Sequence, residues 1–132
     1  MEAGIERLTA LALIVTGLSH IFAPRAWARF FIAIRAQGDI AGFLNGYVHM
    51  PLGLLILAFH PVWRGPELLV TLIGCGLTVK GLLHFLWPRL SQRTLAHVSE
   101  ERAWGFQVAG VFGLLLGLAV GWIALGRPGW AG

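Results

Sequence analysis

The chain alternates between long apolar runs and short polar stretches that are rich in arginine. The apolar runs cover about residues 5–23, 40–60, 67–87 and 103–125. Each run is close to the ~20 residues that a helix needs to cross a bilayer. The polar stretches between the runs are too short to form a soluble domain. We therefore expect an all-α, polytopic membrane protein with four transmembrane helices, in which residues 1–132 form a single membrane domain.

The second half of the chain repeats the first half with an offset of sixty-four residues. The segment TGLSHIFAPR at 16–25 corresponds to the segment KGLLHFLWPR at 80–89. Repeat 1 covers about 5–60 and repeat 2 about 67–125. Each repeat contains two apolar runs, so the sequence predicts two tandem helical hairpins of the same orientation. A pseudo-two-fold axis along the membrane normal would relate them.

Composition and charge support this class of protein. Hydrophobic residues make up 57% of the chain and charged residues 12%, with a net charge of +4. The arginines flank the apolar runs instead of forming one basic patch, which argues against nucleic acid as a partner. By the positive-inside rule, the first and third connections are cytoplasmic and both termini are non-cytoplasmic. Those two connections hold Arg25, Arg29, Arg35, Arg89, Arg93 and Arg102, whereas the termini and second connection hold Arg7, Arg64 and Arg127.

The first connection is too regular to be a simple loop. Trp27, Phe30, Phe31 and Ile34 follow helical spacing, with arginines between them. Such a pattern is typical of a short amphipathic helix at the membrane interface, and the third connection repeats it more weakly. The alternative is that both connections are ordinary polar linkers. We expect contacts with lipid headgroups from Arg25, Arg29, Arg35, Arg89 and Arg93.

Glycines recur at helical spacing on one face of the second apolar run and one face of the fourth. In lipid, small residues let two helices approach closely, and this close packing holds a bundle together. We expect these faces to mediate helix packing, within the chain or with other membrane subunits or a second copy. The predicted packing residues are Gly42, Gly46, Gly53, Gly110, Gly113, Gly117 and Gly121.

Several short motifs resemble those of a family of small, uncharacterised bacterial integral membrane proteins with four helices and an internal two-helix repeat. The motifs are HPVW at 60–63, TLIG at 71–74, KG at 80–81 and WP at 87–88. Pro61 and Cys75 depart from the family's pattern, which has Asn and Trp there. The resemblance implies the four-helix fold and location in the bacterial inner membrane, and it brings no established activity.

A set of polar residues lies inside the apolar runs, towards the ends that carry the first and third connections. Lys80 is the most informative, because a charged amine in hydrocarbon costs roughly 2.5 to 3.5 kcal/mol and needs water, a partner or loss of its proton. The alternative is that the long side chain reaches back to the interface. The predicted polar intramembrane site consists of Thr16, His20, Asn45, His49, Lys80, His84 and Gln107.

The repeat places His20 and His84 at equal depth, and three interpretations remain open. Each histidine can interact with the last carbonyls of its own helix. The two imidazoles can instead ligate a haem or a metal ion from opposite sides. A third possibility is a proton relay or small-molecule site that includes His49 and Lys80.

The sequence contains abundant packing and anchoring features and few that carry chemistry. It has no phosphate-binding glycine loop, no HExxH motif and no credible nucleophile triad. This favours a non-enzymatic scaffold or accessory subunit of a larger membrane complex or homo-oligomer. The alternatives are a haem- or metal-binding protein with His20 and His84 as axial ligands, or proton-linked transport through Lys80 and His49.

Overall fold

The computed structural model describes residues 1–126, which form six helices. Four of these helices are long and apolar enough to cross a membrane, so the prediction of an all-α chain with four such segments is confirmed. Arg127, which entered the charge count above, lies outside the described residues. The helices are α1 (Glu2–Phe22), α2 (Pro24–Arg35), α3 (Ile40–Phe59), α4 (Leu68–Leu86), α5 (Arg89–Leu95) and α6 (Trp104–Leu125).

The first and third connections both contain a short helix, α2 and α5. A non-helical residue, Ala23, separates α1 from α2, and Pro24 then opens the new helix. Proline suits this first position because its missing N–H would have no partner there in any case. The third connection is helical only as far as Leu95, and residues 96–103 form turns and irregular chain. The helical part of this connection is therefore shorter than that of the first.

The four long helices pack as two close pairs, α1 with α6 and α3 with α4. Both pairs depend on glycine at the same place in the repeat. A Cβ atom on Gly17 would lie 2.7 Å from the backbone nitrogen of Leu114, and one on Gly81 would overlap the backbone of Met50. Each close pair thus joins one helix of repeat 1 to one helix of repeat 2, whereas α1 and α3 of the same repeat make few contacts.

The predicted packing glycines differ in how much space surrounds them. A Cβ on Gly110 would lie 2.6 Å from the carbonyl oxygen of Gly17, and one on Gly117 would lie 2.9 Å from the nitrogen of Ile14. Gly42, Gly46 and Gly53 on α3 are equally confined, against Pro88, Phe85 and Thr78 respectively. Gly113 and Gly121 have only ordinary van der Waals neighbours at 3.7 Å or more, so a methyl group fits at both positions.

One end of the bundle is joined by a buried polar cluster of Glu6, His60 and Thr71. The three side chains come from α1, the residue after α3, and the start of α4, and Glu6 and His60 are fully buried. Nε2 of His60 lies 2.9 Å from a carboxylate oxygen of Glu6. The hydroxyl of Thr71 donates to the His60 carbonyl at 2.9 Å, and Nδ1 of His60 donates to that hydroxyl oxygen at 3.2 Å. The cluster therefore connects the two helix pairs.

Candidate functional site: a cavity between the two helix pairs

A cavity of about 890 Å³ lies between the two helix pairs at the end where α2 and α5 are found. Its volume falls within the range of about 300–1,000 Å³ that is usual for small-molecule sites. The lining residues are Thr16, His20, Trp27, Phe30, Phe31, Ile34, Ala41, Leu44, Asn45, Val48, His49, Lys80, His84, Thr94, Leu95, Val98 and Phe106.

Lys80 is held in the cavity wall by a hydrogen bond to His49. The amine nitrogen of Lys80 lies 2.9 Å from Nε2 of His49, and Nδ1 of His49 lies 2.7 Å from the carbonyl oxygen of Asn45. A carbonyl oxygen can only accept, so the Nδ1 proton is donated to it and Nε2 of the neutral ring accepts from Lys80. The ammonium group has three donors, and this contact uses one of them.

His84 belongs to a second hydrogen-bonded chain, which crosses from α3 to α4 through α5. The amide nitrogen of Asn45 donates to the hydroxyl oxygen of Ser91 at 3.4 Å, and that hydroxyl lies within hydrogen-bond distance of Nδ1 of His84, at 2.7 Å. Where the hydroxyl donates to Nδ1, a neutral His84 carries its proton on Nε2. The amide oxygen of Asn45 is buried and has no hydrogen-bond partner in the described part of the chain. Such an incomplete polar network calls for an explanation, and an unfilled ligand site is one.

The opposite wall of the cavity is aromatic and comes from α1, α2 and α6. The ring of His20 stacks on Trp27, with centroids 4.2 Å apart and an interplanar angle of 13°. Phe31 stacks on Phe106 at 5.6 Å and 9°. The indole N–H of Trp27 donates to the hydroxyl of Ser19 at 2.9 Å, which fixes the ring against α1. All four aromatic rings of Phe and Trp that line the cavity belong to this half.

The two walls use corresponding positions of the two repeats but different chemistry. Phe30 and Phe31 of α2 correspond in the repeat to Thr94 and Leu95, and all four residues line the cavity. Lys80 stands where the first repeat has Thr16. His49 has only Gly113 as its counterpart, and Asn45 has Ala109. The divergence of the two copies therefore makes one wall polar, on α3 and α4, and leaves the other aromatic.

Arg35 connects α2 to the end of α5 by hydrogen bonds to backbone carbonyls. One guanidinium nitrogen of Arg35 donates to the carbonyl oxygens of Leu95 at 2.9 Å and Ala96 at 3.2 Å. These carbonyls end α5, where a cation also interacts favourably with the helix dipole. The neighbouring Arg29 forms an ion pair with Glu100 at 3.6 Å, and this pair is largely exposed.

Six of the seven predicted polar-site residues line the same cavity. Gln107 does not, since its side chain is exposed and its amide nitrogen donates to the carbonyl of Ile21 at 3.4 Å. Gln107 instead contacts the end of α1, and its place in the polar site stays a prediction. The other six are Thr16, His20, Asn45, His49, Lys80 and His84.

The two histidines at equal depth differ in their hydrogen bonds. Nδ1 of His20 donates to the carbonyl of Thr16 at 2.8 Å, close to the interaction expected of a helix-end histidine. His84 instead takes Ser91 of α5 as its partner. In both rings Nε2 remains the nitrogen that could face a ligand. No group of three or more His, Cys, Asp and Glu in residues 1–126 is arranged to hold a metal ion, and ligation by these two histidines stays a prediction.

Of the five arginines expected at lipid headgroups, Arg35 differs from the rest. Its side chain is partly buried and donates to backbone carbonyl oxygens of the chain. These contacts do not indicate binding to lipid headgroups. The others have exposed side chains on α2 and α5. They are Arg25, Arg29, Arg89 and Arg93.

Sequence reasoning missed several residues that shape the site and the bundle. Ser91 lies in a polar connection, and only the position of α5 beneath α4 brings it to His84. Glu6 and His60 offered a usable signal, since both lie at the same end of antiparallel apolar helices and a buried carboxylate needs a partner. His49 was expected near Lys80 in depth, but not as its hydrogen-bond partner.

No protein-family model, curated protein or solved structure matches this chain.

Proposed function

We propose that this chain is an integral protein of the bacterial inner membrane that binds an amphiphilic small molecule in the cavity between its helix pairs. The amphiphile has an apolar body and a head that accepts hydrogen bonds. The observation that carries the proposal is the polarity of the cavity, with Lys80, His49 and His84 on one wall and stacked aromatic rings on the other.

Membrane insertion is supported by the surface as well as by helix length. Large apolar side chains are exposed along the four long helices, including Phe112 at 68% and Trp122 at 79%. Contiguous apolar surface of this extent is typical of contact with lipid. The six arginines of the first and third connections support an orientation with those connections, and hence the cavity, on the cytoplasmic side. Both termini then face the other side.

A pseudo-two-fold arrangement of the repeats along the membrane normal forms part of this proposal. It is supported by contacts that recur with the sixty-four-residue offset: Gly17 meets Leu114, and Gly81 meets Met50 in the same way. The cavity then lies on the axis, between equivalent faces. Binding sites at the interface of repeats are common among membrane transporters.

The polar wall is suited to binding and offers little for catalysis. The lining residues in 1–126 include no carboxylate. They do include a lysine with two unused N–H donors, and His84 lies in the same wall. These groups can fix the head of an amphiphile while its apolar body packs on Trp27, Phe31 and Phe106.

Native mass spectrometry of the detergent-purified protein tests this proposal. Palmitate and methyl palmitate are added separately, and we expect a one-to-one adduct with at least one of them. Val48→Trp places a bulky side chain in the cavity lining and should abolish the adduct by obstructing the site. Val111→Trp is the matched control, because Val111 is on the exposed face of α6 and does not line the cavity. The absence of any adduct, or an adduct that survives in Val48→Trp, would contradict the proposal.

The scaffold role predicted from the sequence is compatible with this site and remains a separate prediction. The exposed apolar faces can contact other membrane subunits as well as lipid. Crosslinking in native membranes tests it, since a protein recovered only as a free monomer, under conditions that preserve other complexes, would count against it. The cavity favours ligand binding because it reaches Lys80, which a purely structural subunit does not need.

A further inference from the structure

We infer that the head recognised at Lys80 is a single carboxylate, so that the ligand is a long-chain or aryl-substituted carboxylic acid. This inference rests on the proposed function and specifies its ligand. Three features of the cavity lead to it: the sign and amount of charge, the number of free donors, and the absence of arginine from the lining.

The charge of the lining matches one negative charge. Among the lining residues in the described range 1–126, Lys80 is the only lysine or arginine, and none is acidic. The hydrogen bonds of His49 are those of a neutral ring, which leaves a net formal charge of +1. In a low-dielectric cavity, an ammonium group without a counter-ion is costly. A monoanionic ligand would neutralise the site, whereas a dianion would leave an uncompensated negative charge.

The donors around Lys80 match the oxygens of a carboxylate. The ammonium group retains two N–H donors after its bond to His49, and in the described part of the chain no other partner is present for them. Nε2–H of His84 is a further donor once Ser91 has donated to Nδ1. A carboxylate offers two oxygens with about four acceptor positions. The free donors of these two side chains therefore do not exceed the acceptor positions of one carboxylate.

A phosphate headgroup fits the same wall less well. A phosphate monoester carries about −1.5 to −2 charge at pH 7 and three acceptor oxygens, and phosphate is typically recognised by the two-pronged hydrogen bonds of arginine. None of the arginines in residues 1–126 lines the cavity: Arg35 is committed to the carbonyls that end α5, and Arg29 is exposed beside Glu100. The basic surface outside the cavity can meet lipid phosphates without delivering them to Lys80.

Competitive binding in detergent micelles tests the inference. The probes are palmitate, methyl palmitate and hexadecyl phosphate, at a pH at which palmitate is ionised in the micelle. We expect palmitate to bind at least about tenfold more tightly than the uncharged ester, which is the effect of one hydrogen-bonded charge. Lys80→Met should remove this preference while retaining binding of the ester. Retained ester binding also shows that the variant is folded.

The outcomes separate this inference from the proposed function. If the wild type binds acid and ester equally, and Val48→Trp blocks both, the cavity binds amphiphiles but the carboxylate inference is wrong. If hexadecyl phosphate binds more tightly than palmitate, or the preference for palmitate survives in Lys80→Met, the inference is likewise overturned. If no probe binds in the cavity, the proposed function itself fails.

Discussion

The contact between α3 and α4 at Gly81 should tolerate no side chain larger than hydrogen. A methyl group there would lie 2.6 Å from Cα of Met50, whereas carbon atoms pack best about 3.5–4.0 Å apart. The two helices would have to separate by roughly 1 Å, because backbone cannot move aside as a flexible side chain can. Overpacking of this kind costs about 1–3 kcal/mol. Gly81→Ala should therefore lower the free energy of unfolding.

Gly76 provides a matched control within the same helix. A Cβ atom at Gly76 has no neighbour within 4 Å, so Gly76→Ala should only gain the higher helix propensity of alanine, about 1 kcal/mol. Both variants gain this propensity, so they should differ by the overpacking cost alone, about 1–3 kcal/mol in the free energy of unfolding. Gly17→Ala, at the equivalent place in the first repeat, should resemble Gly81→Ala.

The assay is unfolding by sodium dodecyl sulfate in mixed micelles, followed by tryptophan fluorescence, with retained helix content checked by circular dichroism. If Gly81→Ala were as stable as Gly76→Ala, the helices would not be in backbone contact at this glycine. A large loss for Gly81→Ala with none for Gly17→Ala would instead refute the equivalence of the two helix pairs.

Two further predictions concern the ends of the bundle. His60→Ala leaves the buried carboxylate of Glu6 without its histidine partner. The variant should lose about 3–5 kcal/mol in the free energy of unfolding, as removal of one member of a buried pair typically does. Thermal unfolding measures this loss, with the exposed His97→Ala as the control. Arg35→Met removes the donor to the carbonyls that end α5 and should speed amide hydrogen exchange in α5, whereas Arg29→Met breaks only an exposed ion pair, worth about 0–1 kcal/mol, and should leave that exchange rate unchanged.

The sequence was sufficient for the parts of the fold that depend on local pattern. Hydrophobic runs of about twenty residues indicated the four long helices, and the aromatic spacing after Pro24 indicated α2. The glycine spacing marked faces for close packing, but it could not say which helices would share them. Gly17 of repeat 1 contacts the backbone of repeat 2, and Gly81 of repeat 2 contacts the backbone of repeat 1. The pairs α1–α6 and α3–α4 therefore depend on tertiary packing.

The candidate site shows the same division between local and long-range information. The offset of the repeat placed His20 and His84 at one depth, and the cost of a charged amine in hydrocarbon singled out Lys80. The bond between Lys80 and His49 depends on the register of α3 against α4, which the close glycine contacts determine. Ser91 reaches His84 only because α5 turns back beneath α4, and no pattern within 89–102 encodes that direction.

Photo-crosslinking with a palmitic acid analogue that carries a diazirine at the end of its chain tests the central claim most directly. If the cavity binds a long-chain carboxylic acid, adducts should form on the aromatic wall, at Trp27, Phe31 or Phe106. These adducts should be lost in Val48→Trp and on competition with palmitate. Labelling spread over the exposed surface, at residues such as Phe112 and Trp122, and unchanged in Val48→Trp, would contradict it.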